Sequence, residues 1–421
     1  YVGLVSGTCF ADIGNQVICV DKDKNKIFKL NSGISPNYEP GSDELIKKNY
    51  IAKRLSFTTN IKQAINSSDI IFICVGTPTI KGSIKVDLSF VYKCTKEILK
   101  YTNRKKIIVT KSTVPIGTGD IIEKTIKSKR KLFTVVSNPE FLREGEAIRD
   151  FRYPDRIVIG SNEKKVFNTM RKLYSPLINK GAKFFTTSRR GAELIKYASN
   201  AFLATKITFI NEIANLCEKT GINTEDISIG MGLDKRIGGR FLRAGPAYGG
   251  SCFPKDTKAI ISTADKFKTN LSVIKSVIKS NENRSSLLLD RVYEILNKRV
   301  KNKKITFLGV TFKANTDDMR DSSSLIMIPK LSKKGALIKY FDPTGFKKEL
   351  SKIRNVSYAN SVKKSLEGAD LVIIHTEWND FKSINFKNLV KGKKFIIYDM
   401  RNIYSPTKIR GQGFKYYSVG R

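Results

Sequence analysis

The stretch RFLRAGPAYGGSCFPKDT sets one cysteine, Cys252, behind Gly249 and Gly250 and ahead of Phe-Pro-Lys-Asp. Glycines let backbone amides come close to an anion or a sugar, and Lys255 and Asp256 put charge beside the thiol. A thiolate acts as a nucleophile in such an electropositive, partly exposed setting. A structural cysteine belongs in an apolar run, which describes Cys74 and Cys217 but not Cys252. In AELIKYASN, Lys196 and Asn200 stand four apart, hence on one face of a helix. In a chain this rich in lysine a solvated helix position is the commoner reading of Lys196. Glu140 and Glu144 in SNPEFLREG repeat the spacing. They read as two carboxylates one helical turn apart, a pattern that many charged helix faces also show.

The opening YVGLVSGTCFADIGNQVICVD offers a second chemistry. A helix of small residues runs into an apolar strand that ends on Asp21. In the turn G-x-G-x-x-G the first glycine makes the tight bend, the second admits the pyrophosphate, and the third lets helix pack on strand. With Gly3 as the third glycine, the first two and the strand before them precede Tyr1. A short apolar strand ending in Gly-x-Gly is expected there. A chain folded as written lacks a central strand of its sheet, which exposes edges, removes pyrophosphate amides and weakens dinucleotide binding. By itself a glycine before a helix and an aspartate after a strand decides nothing.

Behind these residues lies a regular alternation. QVICVD, DIIFICVGTP, KKIIVTKSTVP, LFTVVSNPE, FRYPDRIVIGS and AKFFTTS read as strands separated by helical patterns, which predicts a parallel sheet with helices on both faces. From Arg190 the pattern becomes helical through GAELIKYASNAFLATKITFINEIANLCEKTG, stopped by Gly221. Two further helices follow, TKAIISTADKFK and SVIKSVIKSNENRSSLLLDRVYEILNKR. Alternation returns in KKITFLGVTF, ALIKYFDP, ADLVIIHTEW and KFIIYDMRN. The expectation is an α/β protein with two Rossmann-like, doubly wound parallel-sheet domains at 1–189 and 301–421. A central helical domain with a long helix joins them at 190–300.

At 421 residues the chain can bury two or three cores, and its hydrophobic content of 40% is that of a globular protein. The apolar runs are strand-sized, so no membrane span is expected. Six scattered cysteines without C-x-x-C spacing and a single histidine, His375, argue against a zinc cluster and for a reducing, cytoplasmic setting. Lys and Arg number 77 against 38 acidic residues, a net charge of +39. Such a surface can attract nucleic acid or anionic small molecules. The lysines are dispersed along the chain with no aromatic-flanked RNA motif, which favours compositional bias and argues against a nucleic-acid partner.

DKRIGGRFLRAGPAYGGSCFPKDT closely resembles the signature of the nucleotide-sugar (UDP-glucose/GDP-mannose) dehydrogenase family, in wording nearest its UDP-glucose branch. The resemblance spans essentially the whole chain, through YVGL, NYEPG, VGTPT, KSTVPIGT, SNPEFLREGEAIRDF, GVTFKANTDDMRDS, HTEW and DMRN. It implies NAD-dependent, two-step oxidation of the C6 alcohol of UDP-glucose to UDP-glucuronate, with Cys252 forming a thiohemiacetal and then a thioester. By the same resemblance Lys196 and Asn200 stabilise the substrate oxygen, Asp256 is the acid/base partner, and Glu140 manages protons in aldehyde capture and thioester hydrolysis. Thr113 positions a water and touches the cofactor. Val2, Gly3, Asp21, Lys26, Thr77, Glu144 and Arg320 match cofactor positions, and the aspartate favours NAD over NADP. Substrate positions fall on Glu140, Phe141, Leu142, Lys196, Asn200, Phe241, Gly245, Tyr248, Gly249, Phe312, Lys313 and Arg401. Arg236 resembles an arginine that reaches a neighbouring subunit, which implies a homodimer or higher homo-oligomer built on the long helix. No metal is implied. A dehydrogenase of another nucleotide sugar is the alternative, and a basic nucleic-acid-binding protein on the same fold the remote one.

Overall fold

The structure is a computed structural model and describes residues 1–390 and 394–421. The chain packs as two compact units. The first comprises 1–199 with 258–269, and the second 200–257 with 270–421.

In the first unit, β1 (Val17–Val20) pairs in parallel only with β2 (Leu55–Thr58). A separate five-stranded sheet has the order β3 (Ile70–Ile73), β4 (Lys106–Thr110), β5 (Phe133–Ser137), β6 (Arg156–Gly160), β7 (Lys183–Thr187). All its pairs are parallel except β5 with β6, which meet antiparallel at Ser137 and Gly160. The expected single parallel sheet is therefore divided into two. The opening helix Val2–Asp12 packs close to the chain on both sides of the division. A Cβ on Gly7 would lie 2.5 Å from the Cys19 sulfur, and one on Gly3 would lie 3.0 Å from Cys74 Cβ. Asp21, Thr77, Thr113 and Glu140 all follow the carboxyl ends of strands, β1, β3, β4 and β5 in turn.

In the second unit the sheet order is β10 (Val356–Tyr358), β9 (Leu337–Phe341), β8 (Lys304–Leu308), β11 (Leu371–Ile374), β12 (Ile396–Asp399), β13 (Lys415–Ser418), parallel throughout. Every residue of β11 is buried, as its unbroken apolar run demands of a strand covered on both faces. The winding reverses between β8 and β11. Loops after such strands diverge and leave a crevice at the sheet's carboxyl edge. Leu288, Leu289 and Val292 of helix Ser272–Ile295 pack with Ile305 and Phe307 of β8 in the main core.

The long helix Arg189–Thr220 stops at Gly221, whose φ of +73° is left-handed. The Ile222 amide donates to the Cys217 carbonyl at 3.1 Å, closing the helix end. β2, β10 and β13 are short strands that the periodicity does not announce. They carry too few apolar residues to stand out from loop.

Candidate active-site residues

In the first unit Glu140 and Lys196 form a buried ion pair, 3.2 Å apart, each side chain no more than 5% exposed. The Lys196 ammonium also stands 5.3 Å from the centre of the Phe141 ring, and the Arg156 guanidinium 3.9 Å from it. Lys196 is therefore no solvated helix lysine. Glu140 and Glu144 do not share a helix face: 138–146 is a loop that reaches a left-handed Gly145 at φ +78°. The Leu142 amide turns back to donate to Glu140 Oε2 at 2.6 Å. Buried Glu39 accepts from the Gly145 and Ala147 amides at 2.7 and 2.8 Å and fixes the far end of that loop. Glu144 is half-buried in it.

Thr113 lies in the loop after β4, where its carbonyl accepts from Thr77 Oγ1 at 2.9 Å. Glu193, one turn before Lys196, accepts from the Gly117 and Gly119 amides at 2.6 and 2.8 Å and so ties this loop to the long helix. Burial pushes its carboxyl pKa up. Lys111, two residues before Thr113, is buried and hydrogen-bonds Asn138 Oδ1 and the Tyr174 hydroxyl at 3.3 and 3.4 Å. Desolvation holds its ammonium pKa down to about 8. Motif reasoning passed over Glu39, Lys111 and Glu193. Their only trace in sequence is a charge inside an otherwise apolar or glycine-rich segment.

Val2 and Gly3 form the first turn of the opening helix, whose amides have no side-chain cap. Such amides suit an anion. Asp21 accepts from the Asp23 amide at 3.0 Å and lies 3.7 Å from Lys26, both partly exposed. A carboxylate at the end of β1 and uncapped helix amides are a donor and acceptor set that fits a dinucleotide.

In the second unit Cys252 is half-buried at the head of helix Phe253–Lys266, and its carbonyl accepts from the Asp256 amide at 2.8 Å. A helix amino end favours the thiolate, and the Ser251 hydroxyl lies 3.6 Å from the sulfur. Asp256 is fully buried, bound by Asn200 Nδ2 at 2.6 Å and Lys255 Nζ at 2.5 Å.

The glycine loop before Cys252 is held from two helices. Gly245 donates to Asn211 Oδ1 at 2.8 Å, and its carbonyl accepts from Arg284 Nε at 3.1 Å. Asn281 accepts from the Tyr248 amide at 2.9 Å and donates to its carbonyl at 3.1 Å. A Cβ on Gly249 would meet the Asp321 carbonyl oxygen at 2.4 Å. One on Gly250, at φ +78°, would strike the Phe312 ring at 2.6 Å. Phe241 holds φ +66° with its ring 6.1 Å from that of Phe253. Asn281 and Arg284 were also unforeseen. The signal was present, since 277, 281, 284 and 288 share one helix face whose apolar members are buried.

At the crevice between β8 and β11, Arg401 joins three loops. It donates to the His375 carbonyl at 2.9 Å and the Phe312 carbonyl at 2.5 Å, and pairs with Glu377 at 2.9 Å. The Lys313 ammonium lies 5.6 Å from the Phe312 ring centre. Arg320 and Arg236 are exposed and engage their own neighbours, Asp318 at 2.7 Å and Asp234 at 2.6 Å.

Two α/β units with polar groups collected at the carboxyl ends of mostly parallel strands, one also carrying a thiol on a helix head, define an enzyme of the nucleotide-binding α/β class. The chain belongs to the UDP-glucose/GDP-mannose dehydrogenase family. It matches that family's NAD binding domain over residues 1–178, its central domain over 190–283 and its UDP binding domain over 306–406. Its cofactor is accordingly NAD.

The UDP-glucose 6-dehydrogenase of Rhizobium meliloti is 47% identical over 427 residues, covering 100% of this chain and 98% of the relative. That of Rickettsia felis is 46% identical over 424 residues, covering 100% and 94%. The solved structure of a UDP-glucose dehydrogenase from the hyperthermophilic archaeon Pyrobaculum islandicum is 32% identical with a TM-score of 0.91, covering 100% of this chain and 95% of that one.

Proposed function

We propose that the protein is an NAD-dependent UDP-glucose 6-dehydrogenase that oxidises the C6 alcohol to the carboxylate of UDP-glucuronate in two steps. The observation that carries the reading is Cys252, half-buried at a helix amino end behind two glycines where a Cβ would collide with the Asp321 carbonyl and the Phe312 ring. When bound, NAD+ takes up the hydride released in each oxidation. The remaining work falls to this chain. Lys196, poised by Glu140, stabilises the alkoxide as the first proton leaves the C6 hydroxyl, and Asn200, poised by Asp256, donates to the same oxygen. Cys252 adds to the C6 aldehyde as a thiolate to give a thiohemiacetal. Loss of the second hydride leaves a thioester. Water directed by Thr113, with Glu140 and Asp256 managing protons, cleaves the C–S bond and returns the thiolate.

Val2, Gly3, Asp21, Lys26, Thr77, Glu144 and Arg320 are assigned to NAD. Phe141, Leu142, Phe241, Gly245, Tyr248, Gly249, Phe312, Lys313 and Arg401 are assigned to the UDP-sugar, and Arg236 to the site of a second subunit. These roles belong to a three-part chain divided at 189 and 300. Dimerisation through the long helix is supported by Phe202, Phe209 and Leu216, seven residues apart and 65%, 45% and 59% exposed. All six thiols are free, as in a reducing cytoplasmic setting. No helix among the described residues is long and apolar enough to cross a membrane.

Cys252→Ala tests the mechanism. NADH formation from UDP-glucose should fall by about 1000-fold or more, the scale on which nucleophile removal acts. Full two-step turnover by the variant would exclude the thioester route.

A further inference from the structure

We infer that a cavity beside the carboxyl end of the long helix is a separate site for a small, hydroxyl-bearing organic phosphate. It lies within the second unit and holds about 500 Å³, a volume usual for small-molecule sites. Its wall is made by the turn at 221–225, the loop at 402–406, and the side chains of Arg410 and Arg421.

Two features of that wall ask for a ligand. Arg421, 11% exposed, donates one terminal nitrogen to Glu225 Oε2 at 2.7 Å and the other to the Tyr404 carbonyl at 3.2 Å. Its Nε–H is buried without an acceptor among the described residues. Asn402, in the left-handed region at φ +53°, donates to the Val419 carbonyl at 2.8 Å, while its Oδ1 is buried without a donor. One desolvated donor and one desolvated acceptor thus belong to the same wall, and each is destabilising while unmatched.

Charge decides the class of ligand. Arg410 is exposed and makes one long contact, 3.5 Å to the Tyr416 carbonyl, which leaves most of its guanidinium fork to the cavity. Two guanidinium groups face one carboxylate, Glu225. A phosphate monoester matches the fork geometry of arginine. A sugar hydroxyl supplies the donor that Asn402 Oδ1 lacks. Phe312, Lys313 and Arg401 do not line this cavity, so it is distinct from the residues assigned to the UDP-sugar.

The test is a calorimetric titration with glucose 6-phosphate, and separately with inorganic phosphate, with UDP-glucose saturating and NAD+ omitted. Glucose 6-phosphate should bind, and Arg410→Gln and Arg421→Gln should each weaken it about tenfold, the effect of one charged contact. Asn402→Gly, which keeps the backbone angle, should weaken glucose 6-phosphate and leave inorganic phosphate unchanged. Displacement by UDP-glucose, no binding at millimolar concentration, or equal affinity in Arg410→Gln would overturn the site. Arg410 is at the surface, so its loss leaves the fold and NADH formation intact. Failure of the dehydrogenase reading would show as absent NADH formation and would not alter this titration.

Discussion

Glu140 and Lys196 carry the clearest energetic consequence at the scale of single residues. Each is buried and each is the other's counterion at 3.2 Å. Removing one takes from the other its counterion at 3.2 Å, at about 3–5 kcal/mol, whereas removing both is far cheaper. Glu140→Gln and Lys196→Met should each lower the urea midpoint, and the double variant should be more stable than either single one. NADH formation should be lost in all three. Additive destabilisation in the double variant would show that the pair is not coupled. Motif reading named both residues, and the structure shows them paired. The helical spacing read for Glu140 and Glu144 does not hold, because i, i+4 carries meaning only inside a helix and 138–146 is a loop.

Elements decide how the glycine loop is held. Its backbone is fixed by side chains of two helices, Asn211 from Arg189–Thr220 and Asn281 with Arg284 from Ser272–Ile295. Asn281→Ala removes two hydrogen bonds to Tyr248 and should raise KM for UDP-glucose by about tenfold, on the order of 1–3 kcal/mol of lost positioning. Initial rates with varied UDP-glucose check this, and an unchanged KM would release Asn281 from the role. On the outer face of the long helix the seven-residue spacing of Phe202, Phe209 and Leu216 leads to a second expectation. Phe209→Glu should convert a dimer to monomers in sedimentation measurements, since a buried unpaired carboxylate opposes association. A variant that sediments as wild type would remove this face from the interface.

The fold as a whole sets the molecule's response to acid. His375, the only histidine, is buried after β11 and hydrogen-bonds Ser323 Oγ at 2.8 Å and Thr376 Oγ1 at 3.1 Å. Desolvation, helped by the Arg401 charge, pushes its pKa down to about 3. The unfolded chain therefore binds the extra proton between about 6.5 and 3, so His375 draws stability away as pH falls through that window. By pH 4 the loss is about 3 kcal/mol. His375→Gln should flatten the difference in urea midpoint between pH 7 and pH 4 relative to wild type. Parallel pH profiles would refute the assignment.

Sequence by itself determined the alternation of strand and helix, the long helix and its stop at Gly221, and the identity of the cysteine loop. Each of these rests on local periodicity, a left-handed glycine or a contiguous motif. Tertiary structure alone decided that Lys196 is buried against Glu140 and that Asn281 and Arg284 hold the glycine loop. It also decided which arginines surround the cavity at 402–421. These facts depend on burial and pairing between segments distant along the chain. The spacing of charges in one dimension carries no record of which of them lose their water.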